Sequence, residues 1–331
     1  MSPIPTSDLA ADLRELTALP GPVGSEGPVA EWLAQRLEGM SLAPAIDSMG
    51  NLCLPCDGER PRVLVTAHMD QVGWIVSRVD RGGALCLPLG GPDAPEGERV
   101  PVRVLGDAHA PIDAQLVARE GGGAAIAAPS LEGVEVGDRV VFATELDVRD
   151  DGTVQGQSLD DRVGCLMALQ AAKELAGQRP EVALAWTVRE EAEQSGVVRV
   201  ARDMQPDAMV GLDITYAVGP DEGAQSPLEP GAGPAITLLD GGMVGNWPLV
   251  RSFDAAATSL GIEWQREVVS GGVSEAGRVQ RMLGIPSIAL LVPIHNPHSC
   301  REVAFLSDVA AAIDVLVVAV RELAAATAAA I

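Results

Sequence analysis

Apolar runs and amphipathic stretches alternate along most of this 331-residue chain. Four runs have the length of buried strands, namely Arg62–Ala67, Val182–Val188, Ala208–Leu212 and Ser287–Val292. Helical spacing of apolar residues marks Ser7–Leu19, Glu26–Leu37, Arg162–Leu175, Trp247–Leu260, Val273–Leu283 and an Ala-rich segment from about Ser307. Buried strands that alternate with helices predict an α/β fold, with a mostly parallel sheet covered by helices on both faces.

The stretch from about Gly73 to Gln155 has a different pattern. Short Val-rich pieces (WIVSRV, ALCLPL, AQLVA, DRVVFA) are separated by Gly and Pro, and no convincing helical periodicity is present. This pattern is typical of a small antiparallel barrel or sandwich. We therefore predict a barrel-like all-β domain at residues 72–156, inserted into an α/β domain made of residues 1–71 and 157–331.

The composition narrows the classes of partner. The chain has 23 Lys and Arg against 46 Asp and Glu, which gives a net charge of −23. Such a surface repels phosphate backbones and anionic lipids, so we expect neither a nucleic acid nor a membrane as partner. The N-terminus has no secretion-signal pattern and the five cysteines form no paired framework. These features predict a cytoplasmic protein with reduced thiols.

Acids and histidines follow each predicted strand. The residues after the four runs are, in order, His68 and Asp70, Glu190 and Glu191, Asp213, and His295 and His298. Because parallel strands end at one edge of a sheet, these side chains should meet there. Asp160 lies just before the predicted helix at residues 162–175, where the helix start favours an acid. The sequence thus predicts one polar site built from distant segments.

The types of ligand indicate a metal site. His68, Asp160, Glu191, Asp213 and His298 offer nitrogen and oxygen but no thiolate, which suits Zn²⁺, Co²⁺ or Mn²⁺. Five ligands with three carboxylates exceed the needs of one tetrahedral ion and fit two divalent ions that share a bridging carboxylate.

Two further acids have a place beside these ligands. Asp70, two residues after His68, can stand beside that ring and orient it. Adjacent Glu190 and Glu191 point in different directions, so one can bind metal while the other transfers protons. By contrast, we expect His109, inside the β insertion, to be a structural or surface residue and not a ligand.

Motifs along nearly the whole chain resemble metallopeptidase family 42, the TET-type aminopeptidases. They are LPGPVGSE, Asp47-Ser-Met-Gly-Asn51, AHMDQVGWIV, LPLGG, SLDDRVG, the Glu pair, GLD, GAGP, the Gly-Ile segment ending at Gln265, and IHNPHSCRE. The resemblance implies a dinuclear aminopeptidase that acts on short peptides, with a β domain inserted into its catalytic α/β domain. It also implies a dimer contact through the β domain and, beyond that, a twelve-subunit shell.

The resemblance also implies roles for individual residues. His68 and Asp213 would hold one metal, Glu191 and His298 the other, and Asp160 would bridge them. Glu190 would be the general base, and Asp70 would orient His68. We further expect His295, Gly233 and Gly272 to contact substrate. A neutral aliphatic N-terminal residue is the expected substrate, since the sequence reveals no placed cation for an acidic one.

The chain departs from the family pattern at three places: Ala192–Gly196, Gly271–Glu275 and His295-Asn296. These departures put substrate preference in question more than chemistry, because the ligand positions are intact. Two other functions stay open on the sequence alone. One is a metal-independent glycosidase that uses Glu190 with a second carboxylate. The other is a non-catalytic scaffold on a degraded peptidase fold.

Overall fold

A computed structural model describes residues 5–80, 83–119, 123–128, 130–177, 181–217 and 228–325. Its helices are α1 (Thr6–Ala18), α2 (Gly27–Gly39), α3 (Leu159–Glu174), α4 (Ser195–Met204), α5 (Trp247–Leu260), α6 (Glu275–Leu283) and α7 (Leu306–Ala325). Its first nine strands are β1 (Ala45–Ile46), β2 (Leu52–Leu54), β3 (Val63–His68), β4 (Gly73–Asp80), β5 (Gly83–Leu89), β6 (Arg99–Gly106), β7 (His109–Ala118), β8 (Ala124–Ala127) and β9 (Arg139–Phe142). The others are β10 (Asp147–Val148), β11 (Thr153–Gly156), β12 (Val182–Thr187), β13 (Ala208–Tyr216), β14 (Ala235–Leu239), β15 (Gln265–Val268), β16 (Ser287–Ile294) and β17 (Glu302–Phe305).

The four predicted apolar runs form the centre of one large sheet. Within the described residues this sheet has eight strands in the order β1-β2-β12-β3-β13-β16-β14-β15. Strands β12, β3, β13 and β16 are parallel neighbours, whereas β14 pairs with β16 in the antiparallel sense. Every residue of β3, β12 and β16 is buried, because helices cover both faces. The predicted α/β fold is therefore confirmed.

The alternation of side chains along β3 shows how the two faces are filled. Val63 and Val65 pack in the large core with α1, α2, α3, α5 and α7, while Leu64 packs in a second core with α4 and α6. Helix α7 begins close to the predicted position, and its predicted continuation beyond residue 325 lies outside the described residues. No helix of the described part combines the length and apolarity that crossing a membrane requires.

The Val-rich stretch forms the predicted barrel. Strands β4, β5, β8, β7, β6 and β9 pair in that order and close into a ring, with antiparallel pairing throughout. Trp74 and Phe142 meet edge to face inside it, with ring centroids 5.0 Å apart. His109 pairs with Asp138 at 2.9 Å within the barrel, which agrees with the structural role expected of it. The boundaries of the two domains stay a prediction.

Candidate metal and active site

Six of the residues predicted to bind metal or transfer protons line one cavity of about 600 Å³ at the carboxyl edge of the large sheet. They are His68, Asp160, Glu190, Glu191, Asp213 and His298. His68 is the last residue of β3, Asp213 lies within β13, and the Glu pair follows β12. The parallel sheet thus gathers side chains that are up to 230 residues apart in sequence.

Asp160 lies between the two histidines. Its Oδ1 is 3.1 Å from Nε2 of His68, and its Oδ2 is 3.2 Å from Nε2 of His298. Asp213 Oδ1 is 3.8 Å from the His68 Nε2, and Glu191 Oε2 is 3.5 Å from the His298 Nε2. The site therefore divides into two halves that share one carboxylate.

Asp161, which the sequence pattern did not single out, completes the His68 half. It is fully buried, and one of its oxygens lies within 4.8 Å of donor atoms of His68 and Asp213. Its Oδ1 accepts the backbone N–H of Gly164 at 2.8 Å, which is a contact typical of a helix start. Its Oδ2 has no hydrogen-bond partner among the described residues.

Asp70 lies beside His68 but makes its closest polar contacts elsewhere. Its Oδ1 is 3.6 Å from Nδ1 of His68, which is too long for a hydrogen bond. The same oxygen accepts the backbone N–H of Glu190 at 2.9 Å, and Oδ2 accepts that of Glu191 at 3.0 Å. Asp70 therefore fixes the turn that carries the Glu pair.

The donor atoms of this site fit a bound cation. Three buried carboxylate oxygens of the site have no hydrogen-bond partner among the described residues: Asp160 Oδ1, Asp161 Oδ2 and Glu191 Oε1. Buried polar atoms are seldom left unpaired, so unpartnered oxygens gathered around the two imidazoles indicate a positively charged ligand.

The electrostatics of the site point the same way. Burial and then the charge of Asp160 raise the pKa of Glu191 and of Asp213 well above the ordinary value. Burial, offset in part by His68, raises the pKa of Glu190 to about 7. These carboxylates repel one another around the two imidazoles, and divalent ions would relieve that repulsion.

Glu302 is a supporting residue that sequence analysis missed. It is buried, its Oε2 accepts the backbone N–H of Leu159 at 2.5 Å and of Asp160 at 3.3 Å, and its Oε1 accepts that of His298 at 2.8 Å. One side chain thus ties together the segments that carry Asp160 and His298. Burial and then the charge of Asp160 raise the pKa of Glu302 to about 8.

The barrel also reaches the site. After β5, the carbonyl oxygen of Gly91 lies 3.1 Å from Nδ1 of His298, and Gly90 lines the cavity. Because a carbonyl only accepts, this contact places the proton of the neutral ring on Nδ1 and turns Nε2 toward Asp160. Tyr216 stands at the edge of the same imidazole, with ring centroids 6.1 Å apart.

Of the three residues expected to contact substrate, only Gly272 lines the cavity. His295 is exposed, and its backbone N–H donates to Val303. Gly233 donates to Asp308 and its carbonyl accepts from Gln265, which are the contacts of a structural turn. The structure does not bring these two residues to the cavity.

The cavity does contain a cation that sequence analysis could not locate. Arg278, on α6, is the one arginine or lysine among the described residues that line this cavity. Its guanidinium removes the reason for which an aliphatic N-terminal residue was expected. The preferred N-terminal residue therefore does not follow from an absence of positive charge.

Comparison with known proteins agrees with this site. The family described as "M42 glutamyl aminopeptidase" matches residues 50–116 and 126–315. A putative aminopeptidase of Acetivibrio thermocellus is 28% identical over 93% of this chain and 97% of its own length. A lysyl aminopeptidase of Pyrococcus furiosus is 25% identical over 90% of this chain and 92% of its own length.

A solved structure extends the likeness to the fold. The TET1 peptidase of Pyrococcus horikoshii, which can assemble into a tetrahedron or a large octahedral shell, superposes with a TM-score of 0.83 at 26% identity. The match covers 93% of this chain and 98% of that one. Since the family match spans most of the chain and the relatives cover it nearly end to end, this chain belongs to the M42 family of metal-dependent aminopeptidases.

Proposed function

We propose that this aminopeptidase removes N-terminal residues from short peptides with two divalent ions, held by His68 and Asp213 on one side and Glu191 and His298 on the other. The observation that supports this most directly is Asp160, whose two oxygens face the two imidazoles at 3.1 and 3.2 Å. A carboxylate in that position is suited to bridge two ions. Zn²⁺ and Co²⁺ fit the nitrogen and oxygen donors best, and Mn²⁺ also fits.

When bound, such ions polarise the scissile carbonyl and lower the pKa of water toward neutrality. The chain itself supplies the proton transfer through Glu190. One of its oxygens, Oε1, accepts a hydrogen bond from Gln194, so Oε2 is the oxygen available to take a proton from the attacking water. Returning that proton to the departing amine completes hydrolysis, and such catalysis contributes about 10²–10⁴-fold.

The test is Glu190→Gln, with Glu193→Gln as the matched control. Glu193 is an exposed acid three positions away that pairs with Arg189. We expect the first variant to keep both metals and lose nearly all turnover of aminoacyl-nitroanilides, while the control keeps its activity. His298→Ala should instead lose bound metal, which elemental analysis measures. Full turnover by Glu190→Gln would show that the base is assigned wrongly.

Chelation separates this function from the two alternatives. A glycosidase that uses Glu190 and another carboxylate needs no metal, so its activity would survive EDTA. A scaffold would bind metal without turning over any aminoacyl substrate. Loss of aminopeptidase activity in EDTA, with recovery on adding Zn²⁺, Co²⁺ or Mn²⁺, is the result that our proposal requires.

We also propose that the protein self-associates as its structural relatives do, as a dimer or a larger tetrahedral shell, and that it works in the cytoplasm. The five cysteines all lie in the described residues and form no disulfide, which suits a reducing compartment. Sedimentation or light scattering of the purified protein distinguishes a dimer from a twelve-subunit shell.

A further inference from the structure

We infer that Gln194, locked in place by Arg278, is a positioning residue that holds Glu190 in the orientation needed for proton transfer. This inference rests on the proposed role of Glu190 as general base. Gln194 belongs to Ala192–Gly196, one of the segments where the chain departs from the family pattern.

The side chain of Gln194 engages both its Nε2 protons and its Oε1 in hydrogen bonds at the cavity wall. Its Nε2 donates to Oε1 of Glu190 and to the carbonyl oxygen of Val273. Its Oε1 accepts from Nε of Arg278 at 2.7 Å. The residue is only 5% exposed, and Gln194, Val273 and Arg278 all line the cavity. An amide with both protons and its oxygen engaged cannot rotate without losing a buried hydrogen bond.

Arg278 determines which way the amide points. A guanidinium can only donate, so the oxygen of Gln194 must face Arg278 and the NH₂ group must face the Glu190 carboxylate. The reverse orientation would place the amide oxygen against a carboxylate oxygen and the NH₂ group against the guanidinium. Arg278 has no carboxylate within ion-pair distance among the described residues, so this amide is its principal partner.

The geometry has a chemical consequence. By holding Oε1 of Glu190, Gln194 leaves Oε2 as the proton acceptor and restricts the rotation of the carboxylate. The backbone of Glu190 is already fixed by Asp70, so the side-chain torsions are the remaining freedom. A fixed base in a reactive position accelerates turnover without changing how tightly substrate binds.

Two of the segments that depart from the family pattern, Ala192–Gly196 and Gly271–Glu275, contact each other beside Glu190. Val273 belongs to Gly271–Glu275, and its carbonyl accepts the second Nε2 proton of Gln194. An apolar side chain at position 194 could make neither this contact nor the one to Glu190. The two altered segments thus form one local network around the proposed base.

The experiment measures kcat, KM and bound metal for Gln194→Leu, which keeps the size of the side chain and removes its hydrogen bonds. We expect kcat to fall by about ten- to a hundred-fold, with KM within about two-fold and the metal content unchanged. Gln170→Leu is the matched control, because Gln170 is 6% exposed and hydrogen-bonds Asp12 far from the cavity. Its kinetics should equal those of the wild type.

A second variant keeps the test decisive if Gln194→Leu folds poorly. Gln194 has a left-handed backbone with φ of 53°, which Asn tolerates well, so Gln194→Asn should fold. Its amide is one methylene shorter and should not reach Glu190, so the same loss in kcat is expected. Unchanged kcat in a folded variant overturns the inference, and so does a fall in kcat that only follows a loss of metal or of folded protein.

A double-mutant cycle between Arg278 and Gln194 tests the role of Arg278. Arg278→Met should lower kcat in the wild type and have little further effect when Gln194 is already Leu, because both act through one contact. A rise in KM alone would mean that Arg278 binds substrate, which overturns its positioning role. Full activity of Glu190→Gln would instead overturn the proposed function, so the two failures are distinguishable.

Discussion

One oxygen of Asp70 accepts the backbone N–H of Glu190 at 2.9 Å. The fully buried carboxylate therefore holds the peptide that presents the proposed base, and its second oxygen holds the next peptide in the same way. Hydrogen bonds from two successive amides thus fix the position of the turn that follows β12. The residue expected to orient His68 thus makes its hydrogen bonds to the turn that carries Glu190 and Glu191.

Replacing Asp70 with Asn should reduce activity strongly. The new NH₂ group would face one of the two backbone N–H donors, so at least one buried hydrogen bond is lost and the Glu pair shifts. We expect kcat/KM to fall by about 10- to 100-fold in a steady-state assay. Asp203→Asn, at an exposed acid paired with Arg199, is the control and should be neutral. Wild-type kinetics in Asp70→Asn would contradict this role.

Glu302→Gln should weaken metal binding more than it weakens the fold. The amide keeps one acceptor oxygen for Leu159 and Asp160 or for His298, but not both sets. We expect metal affinity to drop by about 10- to 100-fold, as measured by competition with a chromophoric chelator. Native metal affinity in this variant would show that the segments carrying Asp160 and His298 keep their positions without Glu302.

The His109–Asp138 pair should make the stability of the barrel depend on pH. The carbonyl of Ala110 and then the Asp138 carboxylate raise the pKa of His109 above its ordinary 6.5. A raised pKa in the folded state stabilises the protein fully below the ordinary value, and this contribution is lost as the pH rises through the raised one. The Tm advantage of the wild type over His109→Gln, a few degrees at most, should therefore shrink from pH 6 to pH 9.

The control for this measurement is Arg103→Gln. Arg103 pairs with Asp113 in the same barrel at 2.7 Å, and this ion pair contains no imidazole. Its effect on Tm should be the same at both values. A His109→Gln effect that is equally independent of pH would show that the imidazole is not charged in the folded barrel.

Gly73→Ala should destabilise the protein. A Cβ at position 73 would lie 2.3 Å from the carbonyl oxygen of Val140, in the pairing of β4 with β9 that closes the barrel. Because backbone must move to make room, we expect a cost of about 1–3 kcal/mol, seen as a lower denaturant midpoint. Gly27→Ala is the control, since a Cβ there meets nothing within 4 Å. Equal midpoints for both variants would contradict the close approach.

The sequence predicted the central sheet well because burial on both faces leaves an unmistakable mark. The runs that became β3, β12, β13 and β16 are predominantly apolar, and each leads into an acid or a histidine. The barrel was also foreseen from its Val-rich pieces and turns. Helix α4 was not, because its sequence SGVVRVARDM is rich in β-branched residues and only its packing against β12 and α6 makes it helical.

The supporting residues of the site could not be read from sequence. Glu302 acts through backbone amides, which every residue has, so no pattern marks its partners. Arg278 stands at ordinary helical spacing on α6, and only the tertiary fold turns it to the cavity. Asp161 looks like a helix-start acid because it is one, and its second oxygen gains a different role only when α3 packs beneath His68.

The contact between Gly91 and His298 links the barrel to the proposed metal site. The loop after β5 of the barrel fixes the tautomer of an imidazole that lies outside the barrel. Any chimaera that takes its barrel from another relative must therefore place a carbonyl within hydrogen-bond distance of this ring nitrogen. Without this carbonyl the imidazole of His298 would be free to turn, and a change made in the barrel would alter the metal site.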